Sequence, residues 1–320
     1  MTVSPTSQRR GIALCVLSAC GFGAMAIFAK EAYAAGVTLV TLLALRFLLA
    51  AALFWAIVAV RGVPLPGRRT IFIGLGLGAV GYAAQAGLYF GALTRIDASL
   101  TSLLLYLYPM VVFAGAVALG REAVSTRRVG ALGLATAGTA LVLLGGSLGA
   151  IDGLGVAMAL GAALVYATYI LVCDRIIADV DPLLLAALVM TGAAASLLVV
   201  GGAGGSLNLS FAAAGWGWIG LLAGGSTVLG VTAFFVGLRD VGPATASIVS
   251  TAEPAVTVAL ATMIYGEVLG PSQLAGGVLV LGAVVILQLR GERAGTVGDD
   301  VAAARPAAVT PARTLAHEPA

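Results

Sequence analysis

Ten separate apolar runs, at 11–30, 38–60, 71–93, 98–119, 128–146, 153–173, 182–204, 214–237, 243–265 and 271–289, divide this chain. Each is about as long as the roughly 20 residues a helix needs to cross the hydrocarbon core of a bilayer. In lipid the backbone has only itself to bond with, so a spanning segment is a helix or a strand of a closed barrel. The short alternating strands of a barrel are absent. The expected fold class is therefore an all-α integral membrane protein with ten transmembrane helices. Composition agrees: 60% of residues are hydrophobic, 10% are charged, and mean hydropathy is +1.08. Arg9 and Arg10 precede the first run, but no small-residue cleavage site leads into a polar mature domain, so the first helix is expected to be retained.

Loop charges give an orientation. With the N-terminus inside, Arg9, Arg10, Arg61, Arg68, Arg69, Arg121, Arg127, Arg128, Arg175, Arg239, Arg290 and Arg293 fall on one side, and only Lys30 and Arg95 fall opposite. Cytoplasmic loops hold the excess of basic residues, so both termini are expected in the cytoplasm. The net charge of +3 then reports topology and gives no sign of nucleic-acid binding.

Several functions lack their residues. Lys30 is the single lysine, so no phosphate-binding GxxxxGK[ST] loop exists for a nucleotide-driven pump. The one histidine, His317, lies in an Ala/Pro-rich tail expected to be disordered, and no HExxH or GxSxG constellation is present. Cys15, Cys20 and Cys173 form no CxxC or Cys/His cluster and read as small packing residues. No metal or cofactor is expected. A channel is an alternative, but no ring of like charges or filter-like segment recurs.

The chain repeats itself. Pro109 is followed by Glu122 in PMVVFAGAVALGRE, and Pro254 by Glu267 in PAVTVALATMIYGE, at an offset of 145 residues in both places. The same offset pairs Leu93 with Leu238, Phe90 with Phe235, Tyr89 with Phe234 and Ser102 with Ser247; an offset of 144 pairs Gly11 with Gly155 and Phe22 with Tyr166. Five runs fall in each copy. Because five is odd, the second copy must enter the membrane in the opposite sense, an inverted repeat suited to alternating access at a midplane site. The expected organisation is a cytoplasmic N-terminus at 1–10, a first repeat at 11–146, a linker at 147–152, an inverted second repeat at 153–290 and a cytoplasmic tail at 291–320.

The five-plus-five layout, the LRFLLAA stretch from Leu45 to Ala51, the Ala/Ser-rich start of the fourth run with Pro109, and the AEP…YGE run of the ninth resemble the EamA-type branch of the drug/metabolite transporter superfamily. The likeness covers about residues 11 to 290, with Arg121-Glu122 standing where the pattern has Gly-Glu. The resemblance implies a secondary transporter, commonly an exporter of amino acids or other small metabolites, with a central cavity between the halves. It also implies a multi-pass protein of a bacterial plasma (inner) membrane. The expected partners are a small-molecule substrate, protons as a candidate co-substrate, and the lipid bilayer. A chain holding both halves is expected to work as a monomer. A carrier of drugs or other metabolites is the alternative, with a channel or an intramembrane enzyme behind it.

The residues that could carry the mechanism are few. Glu253 and Pro254 sit together in an apolar run. Proline removes a backbone donor and leaves the carbonyl of Ser250, four residues earlier, without its helical partner; Pro109 does the same to Leu105. A charge at membrane depth costs about 2.5–3.5 kcal/mol on insertion scales, so Glu253 is expected to face the bundle interior with Ser250 and Thr257. It reads either as a proton-exchanging or ammonium-contacting group or as a structural brace of the kink. Arg46, the other intramembrane charge, reads either as a contact for a substrate carboxylate or as a structural arginine satisfied by carbonyls. Phe22, Tyr166, Tyr82, Gln85, Tyr89, Phe234, Ser102 and Tyr106 are cavity candidates, since such sites are mostly apolar with a few placed polar groups; packing or interface anchoring is the other reading of each aromatic. Pro109 and Pro254 are the expected hinges. Trp216 and Trp218 read as interface anchors, and Glu122 and Glu267 as helix-end caps.

Overall fold

A computed structural model describes residues 5–120, 126–144, 152–176 and 180–288. Arg121, Glu122, most of the expected linker and the tail lie outside the described residues. The chain forms α1 (Pro5–Gly23), α2 (Met25–Ala34), α3 (Leu39–Arg61), α4 (Arg68–Gly76), a π-helical segment π1 (Leu77–Tyr82), α5 (Ala83–Ala92), α6 (Ala98–Leu105), α7 (Tyr108–Ala118) and α8 (Thr126–Leu144). It continues as α9 (Gly153–Ile176), α10 (Pro182–Ala203), α11 (Ala214–Gly220), a second π-helical segment π2 (Leu221–Leu229), α12 (Gly230–Ser250), α13 (Ala252–Tyr265) and α14 (Pro271–Gln288).

Among the described residues, eight helical stretches are long and apolar enough to cross a membrane, the first at Ser7–Ala34 and the last at Ile248–Tyr265. The regions of the expected fifth and tenth spans hold shorter apolar helices, Val129–Val142 and Pro271–Ile286. The protein is thus a helical, multi-pass membrane protein. Helix ends follow from local chemistry. Thr38 caps α3 by accepting from the Thr41 amide, and Asp181 caps α10 by accepting from the Leu183 and Leu184 amides, with Pro182 at the first turn where its missing donor costs nothing. The eighth and ninth runs turn into one another at Gly242, whose φ of 79° lies in the left-handed region that a side chain disfavours.

The main helix pairs join the two halves of the chain: α1 lies on α12, α5 on α9, α3 on α10, α6 on α13, and α8 on α14. Glycines permit the closest approaches. A methyl group on Gly138 would stand 2.7 Å from the Gly276 carbonyl oxygen, and one on Gly276 2.5 Å from the Gly138 oxygen. On the α10 contact, a methyl on Gly78 would collide with the Val189 carbonyl, and one on Gly192 with the Leu75 carbonyl. Small residues of this kind let helix backbones approach where lipid supplies no hydrophobic drive to association.

Polar contacts at and near the helix ends fall into two sets. At one end Lys30 meets Glu267 at 2.7 Å, Arg95 meets Asp152 at 2.9 Å, and the Asn208 amide donates to Thr41. At the other, Arg10 faces Asp240 at 3.8 Å, and Arg61, Asp181 and Arg239 surround one cavity.

Candidate functional site

The two proline-bearing helices are each divided in two. The sequence places spans over 98–119 and 243–265 with hinges at Pro109 and Pro254. α6 ends at Leu105 with α7 resuming at Tyr108, and α12 ends at Ser250 with α13 resuming at Ala252. Leu105 and Ser250 are repeat partners at the offset of 145, so the breaks fall at the same place in both copies. Both prolines lie in the first turn of the helix that follows, where a missing amide is harmless, and the carbonyls upstream lose their donors instead. For Ser250 the replacement is visible: the Tyr106 hydroxyl donates to its carbonyl oxygen at 2.6 Å. The Pro254 ring borders an apolar groove shared with Leu103, Val258 and Leu274, away from the polar cavity.

Two adjoining cavities of about 120 and 270 Å³ lie beside these breaks. Phe22, Tyr106, Tyr108, Tyr166 and Glu253 line both; Met25, Tyr82, Gln85, Tyr89, Phe90 and Leu105 complete the first, and Val231, Phe234, Phe235, Ser250 and Thr251 the second. Nine expected site residues therefore meet at one place: Phe22, Tyr82, Gln85, Tyr89, Tyr106, Tyr166, Phe234, Ser250 and Glu253. Aromatic rings form a chain of contacts in and behind the wall: Phe47 to Tyr82 (5.5 Å between centroids), Tyr82 to Tyr169 (6.0 Å), Tyr169 to Tyr166 (6.3 Å), Tyr166 to Tyr108 (4.7 Å) and Tyr108 to Tyr106 (5.9 Å). Glu253, in the first turn of α13, sits where the helix dipole favours negative charge, and its Oε2 is 3.1 Å from the Tyr106 hydroxyl. Among the described residues it is the one charged side chain lining these two cavities.

Two candidates stand elsewhere. Arg46 is 1% exposed and lies behind the wall: its Nε donates to Thr227 Oγ1 at 3.0 Å, its Nη2 is 3.4 Å from Met25 Sδ, and its guanidinium lies over the rings of Phe90 (4.9 Å) and Phe47 (5.2 Å). Met25 and Phe90 separate it from the cavity. Ser102 is buried where three helices meet, with its Oγ 3.4 Å from Thr257 Oγ1, which donates to the Gly23 carbonyl at 2.9 Å.

Features not foreseen from the sequence complete the site. Tyr108, Met25, Phe90 and Phe235 line the cavities. The π-helical segments π1 and π2 end at Tyr82 and near Thr227, which are also partners at the offset of 145; one lines the cavity and the other holds Arg46. Such widened turns gather at functional positions in helices.

A part-buried ion pair ties α2 to the segment after α13. Besides Lys30, Glu267 accepts from the Ala98 amide (3.2 Å) and from the Ser99 amide (3.1 Å) and hydroxyl (2.8 Å), capping the start of α6 from the other half. Lys30 also lies over the Tyr265 ring at 5.2 Å, and the Tyr265 hydroxyl donates to Glu31 at 2.9 Å. Burial alone would raise the Glu267 carboxyl; Lys30 and Ser99 outweigh it and hold the group below its ordinary value. At the opposite end, Phe235 is shared between the larger cavity and one of about 140 Å³ lined by Arg61, Asp181 and Arg239.

The family model described as the EamA-like transporter family matches this chain twice, over residues 9–144 and 153–289. The protein described as "Uncharacterized transporter YcbK" of Bacillus subtilis (strain 168) is 27% identical over 266 residues, covering 80% of this chain and 85% of the relative. A solved structure described as "Crystal structure of protein" superposes with a TM-score of 0.62 at 20% identity, covering 89% of this chain and 98% of that one, a likeness of fold.

Proposed function

The chain belongs to the EamA-like transporter family, and from that premise we propose that it carries a small solute across the membrane by alternating access through the cavity beside Glu253. The observation that carries the reading is the cavity's construction. Phe22, Tyr82, Gln85, Tyr89, Tyr106 and Tyr108 come from one copy of the repeat, Tyr166, Phe234, Ser250 and Glu253 from the other, and both helix breaks border the space. A gap shared by two halves can open at either face as the halves rock against each other.

In this reading the chain crosses the membrane ten times as two inverted five-helix halves, with both termini in the cytoplasm of a bacterial cell and the protein in its inner membrane. Support comes from the helix pairs. Exchanging the halves turns the α1–α12 pair into the α9–α5 pair and the α1–α13 pair into the α9–α7 pair, and leaves α3–α10 and α8–α14 unchanged. The division of the polar contacts near the helix ends into two sets is what alternate crossings require. The protein is then a monomeric carrier and not an enzyme. The Arg61–Arg239 end faces the cytoplasm, and the Lys30–Glu267 cluster shuts the outer end.

The solute we favour is an amino acid or a related neutral or zwitterionic metabolite, moved outward, with Glu253 exchanging a proton. Purified protein in liposomes tests this. Counterflow of a radiolabelled amino acid from a zwitterionic panel that saturates marks a carrier, and unsaturable current marks a pore. Glu253→Gln is expected to abolish accumulation driven by a pH gradient while sparing exchange; an unchanged gradient response removes Glu253 from coupling. One observation favours a second reading, a carrier of organic cations: the wall is aromatic with one carboxylate, and Arg46 is sealed behind it. Inhibition of counterflow by a quaternary ammonium ion but not by zwitterions would select it.

A further inference from the structure

We propose that Tyr106 links the protonation of Glu253 to the break between α12 and α13, by giving its one hydroxyl hydrogen to one of two competing acceptors. The proposal rests on the reading of Glu253 as a proton-exchanging group and adds the part that moves. Tyr106 Oη is 2.6 Å from the Ser250 carbonyl oxygen and 3.1 Å from Glu253 Oε2. A phenol has a single hydrogen to donate, and an ionised carboxylate only accepts. Both oxygens are within reach, and one hydrogen serves them.

The bookkeeping depends on Glu253. When it carries a proton, its O–H donates to Tyr106 Oη and the Tyr106 O–H donates to the Ser250 carbonyl, so every group in the chain is satisfied. When that proton leaves to the cavity, the carboxylate becomes the stronger acceptor and the phenol hydrogen turns to it. The Ser250 carbonyl, which Pro254 already deprives of a helical donor, then has none from Tyr106. An unpaired carbonyl at this depth is costly, and the turn at Ser250–Thr251, held by the Thr251 amide to the Ile248 carbonyl at 3.1 Å, is free to rearrange toward cavity water. Tyr106 lies immediately after α6, at the break in the first copy. One hydrogen therefore spans both breaks and both halves. Tyr106 is a positioning residue: it acts through Glu253 and Ser250.

Other groups around Glu253 do not duplicate the role. Tyr82, Tyr89, Tyr108 and Tyr166 face the same cavity from π1, α5, α7 and α9. α1 presents Gly23, whose added methyl would stand 2.8 Å from the Glu253 carbonyl oxygen. Arg46 is screened by Phe90, and Lys30 and Glu31 on α2 are engaged with Glu267 and Tyr265.

The test uses the full chain in nanodiscs, with spin labels at Leu119→Cys and Arg239→Cys and Cys15, Cys20 and Cys173 replaced by Ala. Glu253 protonation is followed as the carboxyl infrared band that Glu253→Gln removes. In the parent, titration of that band between about pH 5 and pH 9 is expected to shift the ratio of two label-distance populations by about tenfold, the scale of one hydrogen bond. In Tyr106→Phe the band still titrates and the ratio stays constant to within about twofold. Pro254→Ala returns an amide donor to Ser250 and is expected to abolish the response independently. A full response in either variant overturns the proposal, and if Tyr106→Phe does not fold, Pro254→Ala decides alone. A band that never titrates sinks the proton-exchange reading of Glu253 and this inference with it; a titrating band with an undiminished response in Tyr106→Phe sinks this inference only.

Discussion

Lys30 and Glu267, 237 residues apart in sequence, meet at 2.7 Å with side chains 21% and 8% exposed. The carboxylate does two jobs at once: it pairs an ammonium from α2 and supplies the start of α6 with the acceptor that Asp97, at the capping position, does not provide. A charged group holding several bonds is worth more than the same contacts made by neutral partners.

Replacing Glu267 with Gln should therefore lower thermal stability by about 1–3 kcal/mol, the range for hydrogen bonds to a charged group. The pH dependence has a definite sign. The folded carboxyl titrates below its ordinary value of 4.5, so its stabilisation is complete above that value and is lost as pH falls through the lower, folded one. Melting of the purified protein should hold steady from neutral pH down to about 5 and then decline. The Gln variant should lack that acid-linked part of the decline; an identical acid profile in both proteins would refute the assignment.

Arg46→Met should change stability more than transport. The guanidinium is enclosed by Thr227, Met25, Phe47 and Phe90, and its loss should cost about 1–3 kcal/mol. The half-saturation concentration for a carboxylate-bearing solute should move less than about twofold. A tenfold rise with an unaltered melting temperature would instead place Arg46 at the solute.

Glycine positions divide by what lies opposite. Gly78→Ala places a methyl against the Val189 carbonyl and should destabilise the α10 contact by about 1–3 kcal/mol, the usual cost of overpacking. Gly87→Ala, with open space at that point, should be neutral or stabilising by about 0.5–1 kcal/mol, because alanine is the better helix former. Equal melting temperatures in the two variants would contradict the close approach.

Orientation is accessible to labelling in intact cells. A cysteine at exposed Arg95, in a background lacking the native cysteines, should react with a membrane-impermeant maleimide, whereas one at exposed Arg61 should react only after the cells are opened. The reverse pattern would overturn the cytoplasmic placement of the termini.

The location of the cavity was legible in the sequence because a carboxylate and paired prolines are costly in lipid and leave few places to put them. Nine expected residues meet there for that reason. Tyr108 was not legible. Two residues from Tyr106 on an unbroken helix it would face away, and only the interruption at 106–107 brings both rings to the same wall. Ser102 and Tyr106 keep their shared face, the Tyr106 amide donating to the Ser102 carbonyl at 3.2 Å, but one turn along it Ser102 meets Thr257 and stands outside the cavity lining. The π-helical segments add no distinctive residue to a Gly-, Ala- and Leu-rich run, so π1 and π2 leave little trace. Whether Arg46 looks into the cavity or behind it depends on how α3 is rotated against π2, a property of two elements 181 residues apart.

The cross-half pairing of α1 with α12, α3 with α10 and α5 with α9 makes each copy an unfinished object. A polypeptide ending after the first copy would present to lipid the glycine faces and the Glu267-less start of α6 that its companion normally covers. Produced as two separate fragments, the copies would have to find one another before either could settle, and neither would outlast the search alone.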